Sequence, residues 1–508
     1  MIVRSSRRTF VALAFALSLT GCMVGPDYKK PPPASAPTPA YKEVNGVDFR
    51  PALPRDTIDR GPWWTIFGDP TLDKLMAQID VSNQTLKEDE AAYRQAVALL
   101  RQSQSLLYPT IGYTGSVQQS STSIGIRTSG GGGSGSSVGL YSLGGTISWE
   151  IDVWGSIRRS IESNSAAAQA SAATLDAARL SMQSSLATAY FSLRTADAAL
   201  DLFSRSVVAF EKSAEIVRNQ MNAGTASRLD LAQAQALLEQ TRALYAAEGA
   251  VRAQFEHLIA ALIGKMPAEV SIAKAPLPET VPTLDAGVPS SLLERRPDIA
   301  SAERTMQSAN ALIGVAVAAY YPSFTFDASI NFLSSMLGNL LQISNAVWSF
   351  GPSLAGTALD GGARGAQVEG ARANYDRTVA IYRQTVITAF QQVEDALAQQ
   401  RYFQLQEEIQ RRAVIAAQDA VRLSLNQYEA GTIAYTTVVT AQTTELTAEQ
   451  TLIAIGLNRF TTASTLVTAL GGGWREQDLP TPGPVTSSTP PPPTTATATA
   501  TKRSWWPF

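Results

Sequence analysis

The stretch Ser323-Phe324-Thr325-Phe326-Asp327-Ala328-Ser329-Ile330-Asn331-Phe332 decides how the rest of the chain is read. Apolar side chains fall on every even position, and hydroxyl, carboxylate or amide groups on every odd one. A repeat of two is that of an extended strand, here with one apolar and one polar face. After a loop at 334–345, Trp348, Phe350, Pro352 and Leu354 stand against Ser349, Ser353 and Thr357. The same pair of strands occurs earlier. Ile111, Tyr113 and Val117 alternate with Thr114, Ser116 and Gln118. A polar, Gly-rich loop (120–137) follows. Then Tyr141, Leu143, Ile147 and Trp149 alternate with Ser142, Thr146 and Ser148.

Each strand pair is followed by a long Ala- and Gln-rich helical hairpin, at 155–264 and at 361–470. Apolar residues recur there every seven positions: Leu186, Leu193, Leu200, Val207, then Leu237, Leu244, Val251, Leu258. The second copy has Val379, Val386, Val393, then Val414, Val421, Tyr428, and Val439, Leu446, Ile453, Phe460, Val467. Such a repeat keeps one stripe against a neighbouring helix under a left-handed supercoil. The longer arms, of up to ~70 residues, span roughly 100 Å. They reverse at Gly224-Thr225 and Gly431-Thr432, with Gly where a helix end takes the left-handed conformation. Gly155 and Gly362, like Gly224 and Gly431, share one offset. Ala189-Tyr190 matches Ala389-Phe390 only with a shift of seven, which a coiled coil absorbs in phase.

Short helices precede each strand pair. Asp69-Pro70 starts the first, with a break near Ser82-Asn83, and Tyr108-Pro109 ends it. Pro297 opens the helix of the second repeat, and Tyr321-Pro322 ends it. The chain thus divides into a leader (1–21), a lipidated tether (22–60), first-repeat helices (61–107), a first β-hairpin (108–154) and a first helical hairpin (155–264). A connection (265–296), a second-repeat helix (297–321), a second β-hairpin (322–360), a second helical hairpin (361–470) and a Pro/Thr-rich tail (471–508) complete it. Trp505-Trp506 in that tail fits none of these elements.

Composition excludes several functions. Charged residues make up 17% and the net charge is −2, which gives no electrostatic basis for binding nucleic acid. One His and one Cys cannot supply the usual ligands of a zinc site. The single His257 lies in the apolar stripe region of a heptad arm and reads as a packed helix residue rather than a catalytic base. Gly130 to Gly135 lacks the Lys-Ser/Thr of a phosphate loop. Arg295-Arg296-Pro297-Asp298 reads as a helix start rather than a recognition site. No cofactor and no enzymatic activity are expected.

Arg4, Arg7 and Arg8 precede the short apolar run 10–19, as in a secretory leader. The only cysteine follows directly in Leu19-Thr20-Gly21-Cys22, which resembles a bacterial lipobox whose Cys22 becomes the lipidated first residue. Met23, rather than Asp, next to it implies forwarding to the outer membrane. Strand candidates of ~9 to ~13 residues are long enough to cross a bilayer at a tilt. In lipid a sheet must close on itself, and the smallest such barrels have about eight strands. One chain supplies four, so several copies must join, giving about eight, twelve or sixteen strands. The polar parity would line a water-filled bore that the helical arms extend.

The chain resembles the outer membrane factors, the TolC-like exit ducts, and most closely their NodT/OprM-like lipoprotein branch. The residues that carry this are Cys22 with Val24-Gly25-Pro26-Asp27-Tyr28, and Trp63-Trp64 through Phe67-Gly68-Asp69-Pro70-Thr71-Leu72. The most specific is Leu293-Glu294-Arg295-Arg296-Pro297-Asp298-Ile299, followed by Ala302-Glu303, Ala309-Asn310, Ile313-Gly314 and Tyr321-Pro322. The resemblance spans 22–470. It implies a mixed α and β membrane protein: a homotrimer with a twelve-stranded β-barrel continuous with a twelve-helix periplasmic α-barrel. It also implies a duct of a tripartite efflux system, working with a periplasmic adaptor and an inner-membrane pump of the resistance-nodulation-division class. Gly224, Thr225, Gly431 and Thr432 would then be adaptor-contacting tips. Asp230, Thr437 and Thr440 would form the periplasmic constriction, with Thr where relatives often carry Asp or a bulky apolar residue. Two other readings are a duct for secreted protein and a coiled-coil lipoprotein that tethers envelope layers.

The lipobox reading predicts that Cys22→Ser abolishes incorporation of radiolabelled palmitate into the protein. Undiminished labelling would contradict it.

Overall fold

A computed structural model of the chain describes residues 23–33, 41–44, 62–122, 136–278, 280–282 and 295–474. Cys22, the Gly-rich segment 130–135, Leu293-Glu294 and the Pro/Thr-rich tail beyond residue 474 lie outside the described residues.

Helix α1 (Pro70–Ser82) starts as its sequence requires: the Asp69 carboxylate accepts from the backbone of Thr71 (2.8 Å) and Leu72 (3.3 Å), with Pro70 at the first turn. The break falls at Asn83, whose side chain accepts from Leu86 N (3.1 Å) and starts α2 (Gln84–Ser105). Strands β1 (Thr110–Thr122) and β2 (Ser136–Ile151) follow. Then come α3 (Ser156–Asn222) and α4 (Arg228–Leu262), the first hairpin. The second repeat has α5 (Pro297–Ala318), β3 (Ser323–Ser334), β4 (Ala346–Ala355), α6 (Ala363–Glu429) and α7 (Tyr435–Ala469). The strands form one antiparallel sheet in the order β1-β2-β3-β4.

Both outgoing arms have 67 residues and both returning arms 35, so one offset relates the hairpins throughout. Ala189-Tyr190 therefore corresponds to Ala396-Leu397, all four buried. The shift of seven inferred from Ala389-Phe390 is not needed; in a heptad pattern a displacement of one full repeat is also in phase and imitates a match.

The helices pack in a single layer. Close to the sheet the neighbours run α2–α3–α5–α6, and farther out α4–α3–α7–α6. Returning and short helices meet end to end. Asn83 Nδ2 donates to Leu262 O (2.6 Å), and Ser82 Oγ donates to Ile263 O, so the start of α2 caps the end of α4. In the second repeat the Arg296 fork holds Asp298 at 2.6 Å while its other nitrogen donates to Ala469 O (3.0 Å) at the end of α7. Arg296 thus has the structural part that its sequence context suggested.

At this midline sits the main core. Phe191 stacks on Phe460 (4.7 Å) and meets the edge of Phe67 (4.9 Å); Trp63 Nε1 donates to Gln183 Oε1 (3.0 Å). The heptad stripe is buried at Leu186, Leu193, Leu200, Val386, Val393, Leu446 and Phe460. It fails along α4, where Leu244 and Leu258 are exposed, and His257 is exposed rather than packed. The buried residues there are Ile259, Ala260 and Ile263. A straight helix drifts ~20° per heptad, so three heptads beyond Leu237 the stripe has turned away from α3.

The N-terminal segment is clamped where β2 meets α3. Val24 N donates to Trp154 O (3.1 Å). Arg159, 2% exposed, donates to Val24 O (3.2 Å) and pairs with Asp27 (2.7 Å) and Glu162 (2.7 Å). Asn310 Nδ2 donates to Pro26 O (3.0 Å), and Lys30 pairs with Glu303 (2.6 Å). Backbone touches backbone at Gly25, with φ of +92°: a Cβ there would lie 2.4 Å from Gly314 Cα.

At Gly314 an added Cβ would lie 2.8 Å from Arg159 Cγ. Overpacking of this kind costs about 1–3 kcal/mol, against about 1 kcal/mol that Ala gains over Gly in a helix. Because Arg159 is held by several partners, Gly314→Ala should lower the melting temperature of the purified protein. A higher melting temperature would overturn this description of the clamp.

Candidate functional site: sheet faces, open edges and hairpin tips

The register sorts every strand residue onto a face. Ile111, Ile147, Ala328 and Phe350 form one row; Tyr113, Gly145, Ile330 and Trp348 form the next row on that face. Trp149, Phe326 and Pro352 continue it, then Ile151, Phe324 and Leu354. This is the apolar parity of all four strands brought together. Most of its large side chains are exposed, Tyr113 at 89% and Phe350 at 69%.

The opposite face carries hydroxyls joined across the strands. Ser116 bonds Ser142 (2.7 Å), Ser329 bonds Ser349 (3.0 Å), and Ser148 donates to Asp327 (2.7 Å). Thr325 also donates to Asp327 (3.1 Å). The two charged strand residues, Glu150 and Asp327, fall on this parity as well.

Among the described residues, two borders lack partners. β1 and β4 each pair on one side only. The helical layer ends at α2 and α4 on the β1 side and at α6 on the β4 side. Exposed apolar side chains gather along these borders: Leu99 and Leu107 on or just after α2, Leu244 and Leu258 on α4, and Tyr402, Leu405, Ile409 and Ile415 on α6. A single-layer wall buries its inner helices against neighbours and leaves its outer ones half covered.

Both junctions between sheet and arm are built alike. The Asp152 carboxylate accepts from Ile157 N (3.0 Å) and Arg158 Nε (3.1 Å); Asp360 accepts from Gly362 N (3.0 Å) and Arg364 Nε (2.5 Å). These donors, Arg364 first, hold the Asp360 carboxyl at about 2. Trp154 stacks on Tyr321 (4.6 Å) and donates to Pro322 O (2.8 Å).

The two reversals are exposed and superposable in design. Gly224 (φ +79°) and Gly431 (φ +72°) turn the chain. The Thr225 and Thr432 hydroxyls donate to Gln220 O (3.0 Å) and Gln427 O (2.8 Å), closing the last helical carbonyls. Beyond the turns the copies diverge. Asp230 completes a capping box with Ser227: Ser227 N donates to Asp230 (3.0 Å) and Asp230 N to Ser227 Oγ (3.1 Å). The matching helix start is Ala434, with no side-chain cap, and Thr437 stands exposed where Asp230 stands in the first copy. Thr440 is exposed and its hydroxyl donates back to Thr436 O (2.9 Å).

Asp230 lies beside two tyrosines of the other hairpin that the sequence reading did not single out as a pair. Tyr428 and Tyr435 meet edge to face at 5.0 Å. Burial, then Tyr428 and Asp230, push the Tyr435 hydroxyl up to about 12, so it stays a neutral donor. Phase with the stripe marked Tyr428; nothing local marked Tyr435. No group of His, Cys, Asp and Glu among the described residues could hold a metal ion. No helix among them is long and apolar enough to cross a membrane.

Comparison with known proteins agrees with this architecture. Residues 75–265 and 288–472 match the outer membrane efflux protein family. The toluene efflux pump outer membrane protein TtgC of Pseudomonas putida is 31% identical over 471 residues, covering 91% of this chain and 95% of that protein. The cation efflux system protein CusC of Escherichia coli is 28% identical over 465 residues, covering 90% and 98%. The solved outer-membrane channel OprN superposes with a TM-score of 0.79 at 28% identity, over 89% of this chain and 100% of that one. With the match running through both repeats, the chain belongs to the outer membrane efflux protein family and is a channel component rather than an enzyme.

Proposed function

We propose that three copies close edge to edge into one duct, β4 of each against β1 of the next and α6 against α2 and α4. The observation that carries this is the register: it gathers the apolar parity on one face and the hydroxyls on the other, and leaves both borders of the sheet unpaired. A buried unpaired strand edge is not tolerated in lipid. The family resemblance selects three among the possible closures, giving twelve strands and a helical wall twelve helices around.

The apolar face has the height of a membrane band. From Ile151 to Tyr141 the strand rises about 34 Å at ~3.4 Å per residue. At a ~45° tilt that is about 24 Å, against a band of ~25 Å in barrels of this kind. The polar face then lines the bore. The lipid at Cys22 begins one residue before Met23, which packs on Gly155 at the junction. Acyl chains and the foot of the sheet therefore enter the same, periplasmic leaflet of the outer membrane.

The arms carry the bore into the periplasm, and the tips at Gly224, Thr225, Gly431 and Thr432 meet the adaptor of a tripartite system with an inner-membrane pump of the resistance-nodulation-division class. Asp230, with Thr437 and Thr440, lines the narrow end. One carboxylate per copy makes a thin acidic ring. The duct is a passive exit for drugs and other toxic small molecules. Relatives named for toluene and for cation efflux support a small-molecule cargo.

Deleting the gene should raise sensitivity to dyes and antibiotics and leave secreted proteins unchanged; loss of a secreted protein instead would favour the secretion duct. In planar bilayers the purified protein should form cation-preferring channels, and Asp230→Asn should lower the cation-to-anion permeability ratio. Absence of channels would overturn the duct; an unchanged ratio would remove Asp230 from the narrow end.

A further inference from the structure

The loop between β3 and β4 is unlike the polar loop between β1 and β2. From 328 to 359 no residue is charged. Two short turns, Leu337–Asn339 and Ile343–Asn345, shape it. Several of its polar groups bond one another. Met336 N donates to Ser334 Oγ (3.1 Å), Asn345 Nδ2 to Asn339 O (2.7 Å) and Gln342 Nε2 to Asn339 Oδ1 (3.2 Å). Four large apolar side chains stand outside, Met336 and Leu337 65% exposed, Leu341 67% and Ile343 88%, with the small or amide groups of Ser335, Asn339, Gln342 and Ser344 exposed between them.

The register fixes the height of this loop. Ser334 pairs with Tyr141, the last row of the apolar face, and the β3–β4 ladder ends at Phe332↔Ala346 just below. The β1–β2 ladder continues five residues further, to Thr122↔Ser136, about 17 Å more. It leaves the apolar band at once, since Gln118 and Gln119 follow Val117 on the two faces. The uncharged loop therefore sits at the upper rim of the band, level with it, while its neighbour rises clear.

We infer that Met336, Leu337, Leu341 and Ile343 are embedded in the hydrocarbon border of the outer leaflet and fix the depth of the barrel from the side opposite the lipidated Cys22. Continuity selects lipid as the occupant: the loop prolongs the face that carries Phe332, Ala346 and Trp348, and water would leave four large apolar groups uncovered at the band's edge. The inference rests on the reading of that face as lipid-facing. It gives the protein two opposed anchors, one covalent and one side-chain based.

Single cysteines test it, since the only native cysteine is Cys22. Leu341→Cys, Phe350→Cys and Gln119→Cys are labelled with bimane and reconstituted in phosphatidylcholine vesicles with or without brominated phosphatidylcholine, the unsubstituted protein serving as blank. All three positions are exposed, so folding is not at stake. The label at 341 should be quenched by brominated lipid to an extent close to that at 350, and shielded from iodide, whereas that at 119 should show the reverse. If 350 is quenched by brominated lipid but 341 is quenched by iodide, or by neither agent, the loop stands in water or packs over the mouth and the inference fails alone. If 350 is not quenched by brominated lipid, the lipid-facing reading fails with it.

Discussion

Every backbone N–H and C=O inside a bilayer must find a partner within protein, and on the proposed reading that requirement governs this molecule. Four strands in one antiparallel sheet satisfy the inner ladders and leave β1 and β4 each with an open side. In water such borders invite aggregation; in lipid they cannot persist. The helices repeat the problem in another form, with α6 on one border and α2 and α4 on the other carrying apolar side chains that are left exposed among the described residues. Both deficits lie on the same two borders, so one act of closure would satisfy both.

Duplication explains how a chain with so few charges builds so long a wall. Each repeat contributes a strand pair, a short helix and a hairpin whose 67- and 35-residue arms match across the copies. End-to-end capping, by Asn83 on Leu262 and by Arg296 on Ala469, turns separate helices into continuous staves. The copies differ where function asks for difference. One tip has the Ser227–Asp230 box and the other has Ala434 and Thr437, so the two helix starts beyond the turns carry one acid per chain instead of two.

The strand faces were legible because alternation is a local signal: all four apolar parities read from sequence share one face in the register. The Asp69 cap, the Asn83 break and the tip glycines were legible for the same reason, each depending on a few consecutive residues. What escaped was set by distant partners. Arg159 looks like any helix charge until Val24 and Asp27 arrive from 132 or more residues away. Leu244 and Leu258 belonged to an unbroken stripe on paper, with His257 beside it, but supercoil phase is decided by the neighbours a helix has, and α4 packs chiefly on α3 and only lightly on α7. The spurious shift of seven came from the same degeneracy of a heptad pattern.

Copy number is where the account is most exposed, because one chain supplies only part of a closed wall. Native mass spectrometry of the detergent-extracted protein measures it directly. Three chains in a single particle, stable without adaptor or pump, is the predicted result. A monomer that keeps its sheet and helical content, or a particle of two or four chains, would contradict it.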